Sequence, residues 1–373
     1  MKIPRIAGLL FLLLFPAFGS QKERTRGAPP ARKLFVDVSE ADYVEVIDAD
    51  KRQVMDKIIV GKHPHGLALG RRAIGGRAYD LLYVTVEETG ELVIVDARSH
   101  KVLGRASVGK QPNQLTLTQD GQFAYVPLRG EAQVAIVELE FEVKARPSAR
   151  EGMEIVPHPR VVKRVPIGAW PHNSYTGETS ARIYVTSFLG KKIHVFDPRK
   201  NELLFEIEFP GEVRPVALTR DESRAYVALS DFHGFVVADI PQRKVVARVE
   251  LPPLPAGTPE PFLKTYVHGL ALSPDERELW VTSCAGAALY VYSLPELKLQ
   301  AKVPTGKFPH WLAWQPRREH ASNVKAGDWV LWVSQTESGQ VSAVDPSTRK
   351  VVADIPTGPG PKRIVVYSAR SNE

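Results

Sequence analysis

The sequence predicts an all-β fold, a seven-bladed β-propeller of four-stranded antiparallel blades, on three observations. A short apolar phrase recurs seven times along the chain. Each copy belongs to a unit of four strand-like runs punctuated by Gly, Pro and Asp, and no stretch of the units has helical periodicity. Spacing is regular where insertions are absent: Tyr83 to Tyr125 and Tyr184 to Tyr226 are each 42 residues.

The phrase itself is Leu34-Phe35-Val36-Asp37, Leu82-Tyr83-Val84-Thr85, Ala124-Tyr125-Val126-Pro127, Ile183-Tyr184-Val185-Thr186, Ala225-Tyr226-Val227-Ala228, Leu279-Trp280-Val281-Thr282 and Leu331-Trp332-Val333-Ser334. A polar turn follows, then a β-branched run such as Leu92-Val93-Ile94-Val95-Asp96, then a third run such as Lys101 to Val108, then a Pro-containing corner into a fourth such as Gly66-Leu67-Ala68-Leu69. A four-stranded blade cannot bury both faces alone, so the units are expected to stack around an axis, each supplying half of its neighbour's core. The Asp residues that close the second runs, Asp48, Asp96, Asp197 and Asp345, are expected to fix turns through backbone N–H bonds rather than to act as catalytic acids. The Tyr and Trp of the phrases are expected in the core.

The Tyr-Val-Thr phrase, the Val-x-Val-x-Asp run and the Val-Gly-Lys-x-Pro corner together resemble the YVTN family of β-propeller repeat proteins, from about Leu34 to Tyr367. The likeness extends more distantly to the propellers that carry haem d1 or a copper cluster. It implies the fold strongly and a function weakly. The third unit departs from it with Pro127, and the fifth lacks a clean Gly-Lys-x-Pro corner.

Three segments are expected. Residues 1–19 have the charged, apolar and small-residue parts of a secretory signal peptide, with Pro16 ending the apolar run too early for a bilayer span. Residues 20–32 read as a flexible basic linker and residues 33–373 as the propeller. The expected location is therefore periplasmic or secreted, with no membrane span after cleavage. The single cysteine, Cys284, cannot form an internal disulfide, and without a Cys-x-x-Cys-His run no c-type haem is attached. The formal charge of +7 includes the leader and linker cations, and no basic run is interleaved with aromatics, so nucleic acid is not an expected partner. A monomer is expected. The first unit begins with its second strand near Leu34 while the last ends with a surplus one, Lys362 to Tyr367, so that segment is expected to close the first blade.

One pattern exceeds the fold. Aligning the corners that enter each inner strand gives one equivalent position per unit: His65, Asn113, His172, Arg214, His268, His310 and Lys362. Four of the ten histidines fall there, and His63 stands two residues away. Imidazoles converging on the axis would suit copper or zinc, with His63, His65, His172, His268 and His310 as candidate ligands. Arg214 and Lys362 in the same ring oppose a cation and favour an anionic small molecule, a carboxylate or phosphate. On that reading binding should weaken as pH rises through the histidine range, and Arg214 should matter more than His310. A structural use of the same residues, as tolerated corner residues bonding a neighbouring blade, stands beside both. Glu87, Glu88, Arg129, Asp231, His233 and Cys284 are expected on the same face. The Pro-rich segment from Pro252 to Pro261 is expected to form a strap beside His268, and the insertion from Phe141 to Pro159 to lie at the rim. The favoured function is an exported binding or scaffold propeller with its ligand or an exported protein partner at the channel face, no catalytic residue being identified. The alternative is a metal-dependent, redox or lactonase-like propeller enzyme. No nucleophile elbow, zincin helix or dinucleotide loop is present, and the sequence names no cofactor.

Overall fold

The computed structural model describes residues 32–145, 153–317 and 326–368. The leader, residues 20–31 of the linker and residues 146–152 of the insertion lie outside them. Twenty-eight strands form seven four-stranded antiparallel sheets, each a blade. From the inner strand outward, blade two runs Pro64–Ile74, Arg77–Val86, Glu91–Asp96 and Val102–Ser107. Blade one begins with the C-terminal strand: Pro361–Ser368, Arg32–Val38, Tyr43–Asp48 and Gln53–Ile59. The two ends of the chain therefore pair within one sheet, Leu34 opposite Val366 and Val36 opposite Ile364, and close the ring as expected. Arg32, placed with the linker by composition, is the first residue of its strand and donates to the Pro316 carbonyl at 2.8 Å, tying it to blade seven. The insertion lengthens the outer hairpin of blade three, Gln133–Ala145 with Met153–Pro166, at the rim. No helix among the described residues is long and apolar enough to cross a membrane.

The repeated phrase is apolar on successive residues because its strand is covered on both faces. In blade two, Leu82 and Val84 join the cluster shared with blade one, whereas Leu81 and Tyr83 join the cluster shared with blade three. The same division recurs around the ring, giving seven buried clusters, one per interface between blades. The Asp residues fix turns: Asp48, Asp96, Asp197 and Asp345 each accept backbone N–H bonds from residues two or three places on.

The last residue of the phrase has a separate task. In five blades the inner strand enters through a β-bulge, at Pro64/Gly66, Pro171/Ser174, Val213/Val216, Pro309/Trp311 and, in blade one, opposite Val36/Val38. A bulge leaves N–H groups out of the ladder. The Thr or Ser hydroxyl collects them: Thr186 Oγ1 accepts from Asn173 N at 3.0 Å and Ser334 from Trp311 N at 3.1 Å, and in blade six, whose inner strand is only Leu270–Leu272, Thr282 Oγ1 likewise accepts from His268 N at 3.1 Å and Gly269 N at 2.7 Å. The hydroxyl also reaches the next blade, as from Thr85 to the Asn113 carbonyl at 2.9 Å. Glycine follows the ring histidine in blades two and six for a related reason. A Cβ on Gly66 would stand 2.6 Å from that Asn113 carbonyl, and one on Gly269 would stand 2.9 Å from the His310 carbonyl. Thr282→Val keeps the shape and strands two buried donors, so it should cost about 2–4 kcal/mol of unfolding free energy by denaturant titration. A loss below about 0.5 kcal/mol would show that the hydroxyl is dispensable.

Candidate functional site

In blades one, two, four, five and seven the ring residue lies at the bulge that opens the inner strand. His65, Asn113, His172, Arg214, His268 and His310 are all buried, and Lys362 is half-buried. His268 stacks on His310 with ring centroids 3.7 Å apart, and His172 meets His268 edge to face at 5.7 Å. Ring order makes His268 and His310 neighbours, but the contact of His172 with His268 crosses the intervening Arg214. That crossing follows from where Arg214 goes. Its Nε donates to Ser230 Oγ at 2.7 Å, its Nη2 to the Leu263 carbonyl at 3.1 Å, and its plane lies 4.3 Å over the Phe188 ring. Asn113 accepts the Gln114 N–H at 2.8 Å with its side-chain carbonyl.

The cation that the alignment missed is Arg363, one residue beyond the ring position. Its side chain is 1% exposed, lies 4.2 Å over the Trp311 ring and donates through Nη2 to Asn173 Oδ1 at 2.9 Å. Nε and Nη1 are buried and have no partner. Asp37, which replaces the hydroxyl residue in blade one, accepts the Arg363 backbone N–H. Its carboxyl is fully buried, and that burial, against the opposing pull of Arg363 and Lys362, pushes it up to about 7. The guanidinium thus lacks a firmly ionised partner. Burial also brings Arg363 down to about 10, so it stays charged at neutral pH.

Burial, with nearby cations, holds His65, His172, His268 and His310 well below the usual imidazole value. They are neutral at pH 7, and the Nδ1 atom of each is buried without a partner. The positive charge at the axis is therefore permanent, and pH dependence from these imidazoles is not expected above their range. A metal cluster on His172, His268 and His310 does not fit: Arg363 acts on all three as a fixed cation, and a second positive centre there would be repelled.

An outer tier lies over the ring. The residue two places before it holds a positive φ in blades one, two, three, four and seven, at Gly360 (70°), His63 (57°), Gln111 (51°), Trp170 (56°) and Phe308 (54°). His63 stacks on His65 at 5.9 Å and Phe308 on His310 at 6.2 Å, while Trp170 stacks on Phe188 at 5.5 Å, which in turn meets His172. Of the other groups expected on this face, Glu87 ion-pairs with Arg129 and faces His63 and His65. Glu88 is exposed beside Lys62. His233 bonds Ser283 Oγ at 2.7 Å. Cys284 donates to the Pro309 carbonyl at 3.2 Å, and burial pushes its thiol up to about 12, so it is no ready nucleophile. The strap is tied down just past its prolines: the Leu263 carbonyl takes Arg214, and the Lys264 carbonyl takes the Asp231 N–H at 3.0 Å.

No family model and no curated protein matches the sequence. Solved structures do match. A structure described as dihydro-heme d1 dehydrogenase in complex with DHE is 15% identical over 91% of this chain and 67% of its own, with a TM-score of 0.58. Hydrazine synthase of Kuenenia stuttgartiensis is 15% identical over 87% and 98%, with a TM-score of 0.64. The periplasmic gluconolactonase of Pseudomonas aeruginosa is 17% identical over 90% and 99%, with a TM-score of 0.66. Their names assign three different chemistries, and identity this low carries architecture alone. The chain is a seven-bladed β-propeller of the architecture these proteins share.

Proposed function

We propose that this chain is an exported binding propeller whose channel-face site takes an anionic small molecule on Arg363. The observation that carries the reading is the buried guanidinium with two unpartnered donors, placed over Trp311 among neutral imidazoles. Leaving a buried charge unmatched costs several kcal/mol, and a carboxylate or phosphate would match it through charge-assisted bonds. Neutral imidazoles add N–H donors without requiring protonation. Lys362 supplies a second positive charge, and Arg214 orders the wall and the strap. Export rests on the N-terminal segment of the sequence, whose charged start and short apolar run suit a signal peptide. The thiol at this face is buried and protonated, which favours binding over nucleophilic catalysis.

Calorimetric titration with a panel of mono- and dicarboxylates and inorganic phosphate tests the reading. At least one anion should bind, more weakly at high salt and nearly unchanged from pH 7 to 8.5. Arg363→Met should lose at least about a hundredfold in affinity, as truncation of a buried charge partner does, and His310→Ala less. An absence of binding across the panel, or an Arg363→Met protein that binds as the parent does, would overturn it.

A further inference from the structure

We propose that the channel mouth also carries a divalent transition-metal site made by His63, His65 and Glu87. It stands apart from the Arg363 site and does not rest on the anion reading. Chain geometry brings the three together. His63 and His65 flank Pro64, which begins the inner strand of blade two and pairs with Val86, so Glu87 emerges beside them. The Glu87 N–H donates to the His63 carbonyl at 3.0 Å and locks that spacing.

The side chains then face one another. Glu87 Oε2 lies 3.5 Å from His63 Nε2 and 3.9 Å from His65 Nε2, and one donor atom from each residue falls within 4.8 Å of the others. Ligand atoms about one tetrahedral zinc ion lie roughly 3.4 Å apart, so small side-chain movements suffice. The carboxylate is already oriented. Arg129 holds Oε1, while Oε2, on the imidazole side, is buried and unpartnered. Two imidazoles and one carboxylate suit zinc or another late first-row divalent ion and leave at least one coordination position for water or a ligand.

The surrounding charges limit the affinity. Arg129 is spent on Glu87, and Glu88 lies beside the exposed Lys62. Lys362 is the leading charged neighbour of both histidines, with Arg363 also acting on His65, and both oppose a bound cation. This opposition gives the site a signature that a merely structural cluster lacks. Removing Lys362 should tighten metal binding while weakening any anion on the Arg363 side.

The experiment is a zinc titration of the folded protein by calorimetry, with metal content measured after dialysis and cobalt absorption reporting the coordination geometry. The expected result is one ion per chain with a tetrahedral or five-coordinate cobalt spectrum. Glu87→Gln and His63→Gln should each weaken zinc by at least about a hundredfold, beyond the loss typical of an outer-shell partner. His63 is 40% exposed on its side chain, so its variant should fold. Lys362→Met should tighten zinc by about tenfold, and Arg363→Met should not weaken it. Loss of zinc with anion binding intact would separate this site from the anion reading. Failure to bind stoichiometric zinc, undiminished binding by His63→Gln, or no gain from Lys362→Met would each overturn the proposal.

Discussion

Deletion of residues 362–373 is expected to abolish cooperative folding rather than merely lower the melting temperature. The missing strand is the inner strand of blade one, and its removal leaves Leu34, Phe35 and Val36 without a partner along one edge. Ile364 and Tyr367, each 2% exposed, leave the clusters shared with blades seven and two. At about 1.5–3 kcal/mol for each large apolar side chain, with the ladder bonds added, the loss approaches the 5–15 kcal/mol that holds an ordinary domain folded. Circular dichroism and calorimetry of the truncated chain should show no sharp cooperative transition. A truncated protein that melts within a few degrees of the parent would show that ring closure is unimportant to stability.

A steep loss of stability on acidification is the second large effect expected. His65, His172, His268 and His310 are held neutral in the fold, whereas in the unfolded chain they protonate near pH 6.5. The unfolded state therefore binds more protons below pH 6.5, and stability that is complete above that value is lost as pH falls. Asp37 acts in the opposite sense. Its folded value of about 7 exceeds the unfolded 3.8, so its contribution is present at low pH and lost as pH rises through 7. Four imidazoles against one carboxyl leave a net uptake of about three protons on unfolding near pH 5, a slope of about 4 kcal/mol per pH unit. Denaturant titrations at pH 7.5, 6 and 5 would measure it. A variant with glutamine at all four histidines should flatten the profile, and a parent protein equally stable at pH 5 and 7.5 would contradict the neutral ring.

Much of this was legible in the residues because repeated backbone geometry imposes repeated chemistry. Seven phrases gave seven second strands, since a strand covered on both faces must be apolar throughout, and Tyr83 and Val84 show how adjacent residues serve different interfaces. The ring positions were legible because most corners carry a proline or a bulge just before them. What alignment could not show is which side chain the bulge aims inward. In blade one two residues, Lys362 and Arg363, share the distorted stretch, and it is the second that is buried over Trp311. Asp37 was the available signal: an acid in the place of Thr or Ser marks a blade whose bulge carries extra positive charge. Arg214 occupies a ring position, yet two of its donors are spent on Ser230 and on the Leu263 carbonyl that the strap after Leu251 brings to it.

Closure by the C-terminal strand also sets an order of events. Arg363 rides on the last of the propeller's strands to be synthesised, which seats blade one, begun some 330 residues earlier. The cation thus joins Asn173 and Trp311 only once the ring is complete, so an open ring lacks the site. Occupancy then acts as a latch. Any molecule that binds Arg363 favours the closed ring over every state with a detached terminus, by RT ln(1 + [L]/Kd), which is about 2.7 kcal/mol at a hundredfold excess over Kd.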